Sequence, residues 1–309
     1  MKQVFEGDLD IERLVLSISA ETGVSIEAEN TLIIFDEVQE VPKALTSLKY
    51  FYENAPQYAI VAAGSLLGVA LHQGTSFPVG KVDFLDLYPL NFREFLCAMG
   101  EKQFVSMLDS CDTQMVTVFK TKYIERLREY YFVGGMPEVV KDFSEKKDYN
   151  RVRAIQKNLI NYYQQDFSKH AEIKLVPRLN LVWNSIPMQL AKENKKYIYG
   201  QVREGSRAKD FELAIQWLLD CGLIHKVQRI QKPDLPLKAY IDFDAFKLFL
   251  VDIGLLIAMT DLDAKVIIEG NKIFTEFKGA LTEQYILQQL ISDVGVIPYY
   301  YSTQNSKGE

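Results

Sequence analysis

The chain has 309 residues, 48% hydrophobic and 25% charged, enough to bury a sizeable core and to divide into two or three units. Its net charge of −6 and isoelectric point near 5.3 argue against strong constitutive nucleic-acid binding, which leaves a basic footprint. Met1 to Asp10 is polar and acidic, unlike a secretory leader, and no apolar run approaches the roughly twenty residues of a membrane span. A cytoplasmic protein without a membrane partner is the expectation.

Leu9 to Ser19 reads as a surface helix. The run Thr31-Leu32-Ile33-Ile34-Phe35-Asp36-Glu37-Val38-Gln39-Glu40 then ends an apolar stretch abruptly in two adjacent carboxylates. This pattern predicts a buried strand delivering acids to a site, as in the Walker B element of nucleotide hydrolases. There the first acid, Asp36, holds Mg²⁺ and the second, Glu37, orients the attacking water. A core strand followed by an ordinary acidic turn is the alternative. An amphipathic helix is predicted over Ala44 to Asn54, and a second apolar run, Tyr58 to Ser65, ends in Gly64-Ser65. Strand, helix, strand is the grammar of a parallel sheet, whose ligands sit beyond the carboxyl ends of the strands. The hydroxyl of Ser65 is then placed to sense a γ-phosphate or the attacking water.

Helices are predicted over Phe92 to Met99, Met115 to Tyr131, Glu138 to Phe143 and Val152 to His170, interrupted by a turn at Gly134-Gly135-Met136-Pro137 that is either a hinge or a plain interhelical turn. From Val176 to Asp242 the pattern changes to helices, Leu179 to Leu190 and Ala208 to Leu219, followed by two strands, Leu223 to Ile230 and Leu237 to Asp242. Helices plus a ribbon suggest a winged helix. Its candidate phosphate contacts are Arg203, Arg207, Lys209, Lys226, Arg229 and Lys232. Asp210, Glu212, Gln216 and Asp220 on the candidate recognition helix would repel phosphate, so domain packing or a protein partner competes with DNA. Cys97, Cys111 and Cys221 lack metal-ligand spacing, and His72, His170 and His225 do not cluster with them. No metal is expected beyond Mg²⁺ carried by ATP.

These motifs together resemble the AAA+ ATPases of bacteria and archaea that carry a winged-helix segment and a restriction-endonuclease-like C-terminal domain. The resemblance rests on Leu32 to Gln39, Ala62 to Gly68, Ser76-Phe77-Pro78-Val79-Gly80-Lys81-Val82, Leu87 to Leu96, Gly134 to Glu138 and Phe246 to Leu256. It implies an α/β fold: a partial P-loop NTPase-like parallel sheet (1–100), a helical lid or linker (101–172), a winged-helix region (173–260) and the start of an endonuclease-like domain (261–309). It also implies Mg-ATP hydrolysis, at Asp36, Glu37 and Ser65, coupled to a conformational switch, with homo-oligomers among its members. Lys81 and Arg93 are candidates for a cation acting on a neighbouring subunit's phosphate, or are plain surface charges.

The departures are equally specific. A phosphate loop needs Gly-x-x-x-x-Gly-Lys-Ser/Thr, and the sequence has none; its nearest imitation, Gly74 to Lys81, has the wrong spacing and Val82 where a hydroxyl is required. The chain therefore reads as beginning after its phosphate loop and ending within its last domain, where Phe277 to Ile291 supplies a helix with Glu283 and Val296 to Ser302 a strand. Glu283 alone makes no nuclease site and reads as a helix-surface acid. Poor ATP binding is expected of this chain alone. A DNA-interacting protein or an interaction scaffold with a degenerate ATPase domain is the alternative.

Overall fold

The computed structural model describes residues 2–65, 68, 80–192, 196–269 and 275–302. The chain falls into two units, one of residues 1–87 with 220–222 and the other of 88–219 with 223–309.

In the first unit, helix α1 (Ile11–Thr22) begins where the side chain of Asp10 accepts the Arg13 N–H at 3.0 Å and ends at Gly23, which takes the left-handed conformation at φ 70°. Ile11, Leu14 and Ile18 face inward. Leu14 is fully buried while Leu16 is 72% exposed, so the surface helix expected packs one face on the core. Strand β1 (Leu32–Phe35), helix α2 (Pro42–Asn54) and strand β2 (Ala59–Ala62) follow. The strands pair in parallel, with Leu32 opposite Ala59 and Phe35 opposite Ala62. Val38, Leu45, Phe51 and the inward side of α1 form the core beneath them, with Phe35, Ile60 and Ala62 packed against it. The other face differs from the buried strand predicted. Leu32 is 54% exposed, Ile34 61% and Val61 48%. Helices α1 and α2 cover a single face of the described pair, so every second residue of β1 meets solvent.

The second unit is mainly helical, with α3 (Phe92–Ala98), α4 (Lys102–Asp109), α5 (Thr113–Val118), α6 (Lys120–Val133), α7 (Pro137–Lys146), α8 (Tyr149–His170), α9 (Val176–Ala191), α10 (Tyr199–Val202) and α11 (Ala208–Asp220). The single helix predicted over Met115 to Tyr131 is broken at Phe119, whose ring packs edge-on against Phe104 at 5.7 Å. After α11 come strands β3 (Ile224–Ile230) and β4 (Ile241–Leu250), then helices α12 (Ile253–Met259), α13 (Ala264–Ile268) and α14 (Thr275–Gln289), and strand β5 (Tyr299–Tyr301). The ribbon partner of β3 is thus Ile241–Leu250, not Leu237 to Asp242, because Leu237–Tyr240 coils into a 3-10 turn. Strand β5 joins the same sheet, parallel to β3, giving the order β4-β3-β5. The strand of the last segment thus finds its hydrogen-bond partners in the ribbon.

A fully buried carboxylate organises this unit. Asp252 accepts the Gly135 N–H at 2.6 Å, the Leu255 N–H at 3.1 Å, which caps α12, and the Gln288 amide at 3.1 Å. Burial raises its pKa against the pull of these donors. Gln288 also accepts from Ile253 N and donates to the Tyr130 hydroxyl, which in turn donates to the Leu90 carbonyl. One turn away, Gln284 both accepts from Leu250 N and donates to Leu250 O. The glycine pair predicted as hinge or turn sits against this node: a Cβ on Gly134 would collide with the Asp252 carboxylate, and one on Gly135 with Leu90 O.

Asp252→Ala strands the N–H groups of Gly135 and Leu255 in a dry site, so it is expected to cost about 3 kcal/mol in urea unfolding. His225, whose ring lies 6.3 Å from that of Tyr88, has its pKa pushed down from 6.5 to about 4 by burial. Its folded pKa lies below its unfolded value, so the stability it contributes is fully present above pH 6.5 and is lost as pH falls to about 4. The loss is about 3 kcal/mol. Across that window the stability of the wild type should fall by about that amount relative to His225→Phe, measured by urea unfolding at each pH.

Candidate functional site

The parallel register carries the polar tips of both strands to one edge. Beyond the last paired residues, Ala63 N donates to Phe35 O at 2.8 Å and Val38 N to Ala63 O at 3.0 Å, so the ladder continues across the turn. Asp36 and Glu37 are thereby set beside the Ala63-Gly64-Ser65 segment, and Asp36, Glu37 and Ser65 are all exposed. This is the juxtaposition that the strand-helix-strand reading requires.

The turn is held by local contacts. The Asp36 carboxylate accepts the Glu37 N–H at 3.0 Å through one oxygen. Glu37 itself adopts the left-handed conformation at φ 50° and ψ 44°, unusual for a residue with a Cβ. Its carboxylate accepts a short hydrogen bond from the side-chain amide of Gln39. The carbonyl oxygen of that same amide is buried and has no hydrogen-bond partner among the described residues. It lies where a Cβ on Gly64 would be. The strand-end pattern marks Asp36, Glu37 and the Gly64-Ser65 tip but gives no role to Gln39. The available signal was the spacing Asp-Glu-x-Gln, which a turn folds back on itself.

No group of three or more His, Cys, Asp or Glu side chains able to cage a metal occurs among the described residues. The donor set instead fits a hard cation that arrives with phosphates, since Mg²⁺ keeps most of its waters and takes only one or two protein carboxylates. Asp36 has the oxygen chemistry for that role.

The candidate cations are already engaged. Lys81 pairs with Glu53 at 3.6 Å and lies over the Tyr52 ring. Arg93 belongs to the second unit, where it pairs with Asp109 and, at 3.9 Å, with Asp293. The Gly74 to Val79 portion of the rejected loop imitation and most of the Ser76 to Val82 motif, together with His72, lie outside the described residues.

Of the basic residues predicted to meet phosphate, Arg203, Arg207 and Lys209 are exposed around the start of α11. The others are used internally. Arg229 is paired with Asp242 at 2.5 Å, which pulls the Asp242 carboxyl below its usual range. Lys226 packs over the Phe246 ring, and Lys232 pairs with Asp234. Glu283, read as a surface acid, bonds at 3.2 Å to Lys247, a lysine only 7% exposed. The three cysteines are unbridged.

Comparison with known proteins bears mainly on the first unit. Residues 3–96 match the family model described as an AAA domain, and residues 124–266 match one described as a domain of unknown function (DUF8612). No curated protein matches. Among solved structures the chain is similar to a Walker-type ATPase of Pyrococcus abyssi, at 15% identity, covering 82% of this chain and 68% of that one, with a TM-score of 0.49. The AAA-domain match spans the segment that carries Asp36 and Glu37. Among the described residues no helix is long and apolar enough to cross a membrane.

Because Arg229 is occupied by Asp242, Arg229→Gln should lower thermal stability by an amount equivalent to about 1 kcal/mol or less. The salt dependence of any duplex DNA binding should stay unchanged, and a shallower dependence would assign Arg229 to phosphate.

Proposed function

We propose that this chain carries the hydrolytic half of an AAA-type ATPase site. The observation that supports it is the register of β1 against β2, which sets Asp36, Glu37 and Ser65 on one strand edge inside the segment that matches the AAA domain. Asp36 would hold the Mg²⁺ that arrives on the nucleotide. Glu37 takes a proton from water as the water oxygen bonds to the γ-phosphorus and the bond to the β,γ-bridging oxygen breaks, releasing ADP with that electron pair. Ser65 reports on the γ-phosphate. When bound, Mg²⁺ offsets the charge that builds on the phosphate oxygens.

The backbone cradle and lysine for the phosphates are absent from this sequence, so a glycine-rich loop from another segment completes the site. The helices of the second unit and its ribbon transmit the nucleotide state. Helices α9, α10 and α11 followed by β3 and β4 have the order of a winged helix. The acidic face of α11, with Glu212 exposed, favours protein packing over duplex DNA. A cytoplasmic oligomer is the setting this reading implies.

Calorimetry tests the proposal. The chain alone should bind Mg-ATP weakly, and addition of the loop-bearing segment should restore both tight binding and turnover. In that assembly Glu37→Gln should retain binding and lose turnover by about 100-fold or more, whereas Asp36→Ala should abolish the Mg²⁺ dependence itself. Normal turnover by Glu37→Gln removes the assignment.

A further inference from the structure

We propose that Gln39 is a positioning residue for the hydrolytic glutamate: its amide nitrogen fixes the Glu37 carboxylate, and its carbonyl oxygen, seated against Gly64, holds the amide in that orientation. This inference rests on the ATPase reading above and extends it to a residue outside the acidic pair.

Three features of the strand edge carry it. First, Glu37 sits in a left-handed backbone conformation, a costly state for a residue with a Cβ, and one that tends to persist where the surroundings over-determine it. The Gln39 amide is the side-chain group bonded to its carboxylate. Second, the two ends of the Gln39 side chain are treated differently. The nitrogen is satisfied by Glu37, whereas the oxygen is buried without a partner among the described residues. The oxygen is closed off from solvent against Gly64, so packing rather than a hydrogen bond fixes that end and leaves the nitrogen turned to Glu37. Third, Gly64 leaves the space that the amide occupies, since a Cβ there would collide with the Gln39 oxygen. The colliding atom is the end of a flexible side chain, so Gly64→Ala turns the amide aside rather than unfolding the strand pair. The Asp-Glu-x-Gln turn and the glycine before Ser65 therefore act as one unit across the two strand tips.

The consequence separates positioning from folding. Gln39→Met preserves side-chain length without the amide, and Gly64→Ala displaces the amide without altering Gln39. In the ATPase assembled with its phosphate loop, each is expected to lower kcat by about 10-fold or more while KM for ATP stays within about twofold, because the lost alignment acts on the attacking water and not on the bound nucleotide. In the chain by itself, the side-chain amide protons of Gln39 in ¹⁵N NMR should exchange slowly and should move on Glu37→Ala and on Gly64→Ala.

Wild-type kcat in both variants, with Glu37→Gln inactive, would overturn the role of Gln39 and leave the ATPase reading standing. Turnover by Glu37→Gln would overturn the ATPase reading. Gln39 amide protons that exchange as fast as a solvated amide and ignore Glu37→Ala would overturn the positioning contact whatever the assay of turnover shows.

Discussion

Two parallel strands cannot be joined by a tight turn, and that constraint organises the first unit. The chain must leave β1, cross back along the sheet and re-enter in the same direction, so it spends α2 on the crossover. The crossover covers one face of the pair with Leu45 and Phe51. It also guarantees that whatever follows β1 and whatever follows β2 emerge at the same edge. Asp36, Glu37 and Ser65 meet for this reason, and the hydrogen bonds of Ala63 to Phe35 and Val38 hold that edge past the end of the regular strands.

The second unit depends on a different device, a buried carboxylate held by two backbone N–H groups and a side-chain amide. Asp252 stays dry because Gly135, Leu255 and Gln288 all point N–H groups at it. Three glutamines of α14 extend the same logic: Gln284 pairs with the backbone of Leu250, Gln288 with Ile253, and Gln289 with Phe92. Such contacts specify position more than they add stability, since buried polar groups gain little net energy over their hydration but cost much when mismatched. The end of β4, the start of α12, the Gly134-Gly135 turn and the start of α3 are thereby held to one helix face. The AAA-matching segment lies in the first unit with only its last residues in the second, so the candidate chemistry and this organising node belong to separate parts of the chain.

Much of the local structure was legible in residue order. The abrupt change from Ile34-Phe35 to Asp36-Glu37 marked a strand end, and the three-and-four spacing of Phe211, Ala214, Ile215 and Leu218 marked α11 with its inward face. Where the expectations differ from the structure, the reason is non-local. Periodicity ran one helix through Phe119, but that residue leaves the helix to meet Phe104. Leu237 to Asp242 has strand composition, yet β3 takes the following segment as its partner. The apolar run of β1 implied burial on both faces, which depends on what lies across the sheet and not on the run itself. Charge counting gave six cations for phosphate, and only the three-dimensional pairing showed Arg229 and Lys232 held by aspartates.

By itself, the sequence determined the secondary-structure grammar, the acidic strand tip, the absence of a phosphate-loop motif and the chemistry available at each position, because these follow from residue type and short-range spacing. Tertiary structure alone decided that the two strand tips meet in register, that Gln39 folds back onto Glu37 over Gly64, that Asp252 is dry and shared among three segments, and that β5 joins β3. Each of these is a hydrogen-bonding or packing choice between residues distant in the chain or turned toward each other by the backbone. Residue order lists the possible partners for such contacts, and the geometry of the fold selects among them.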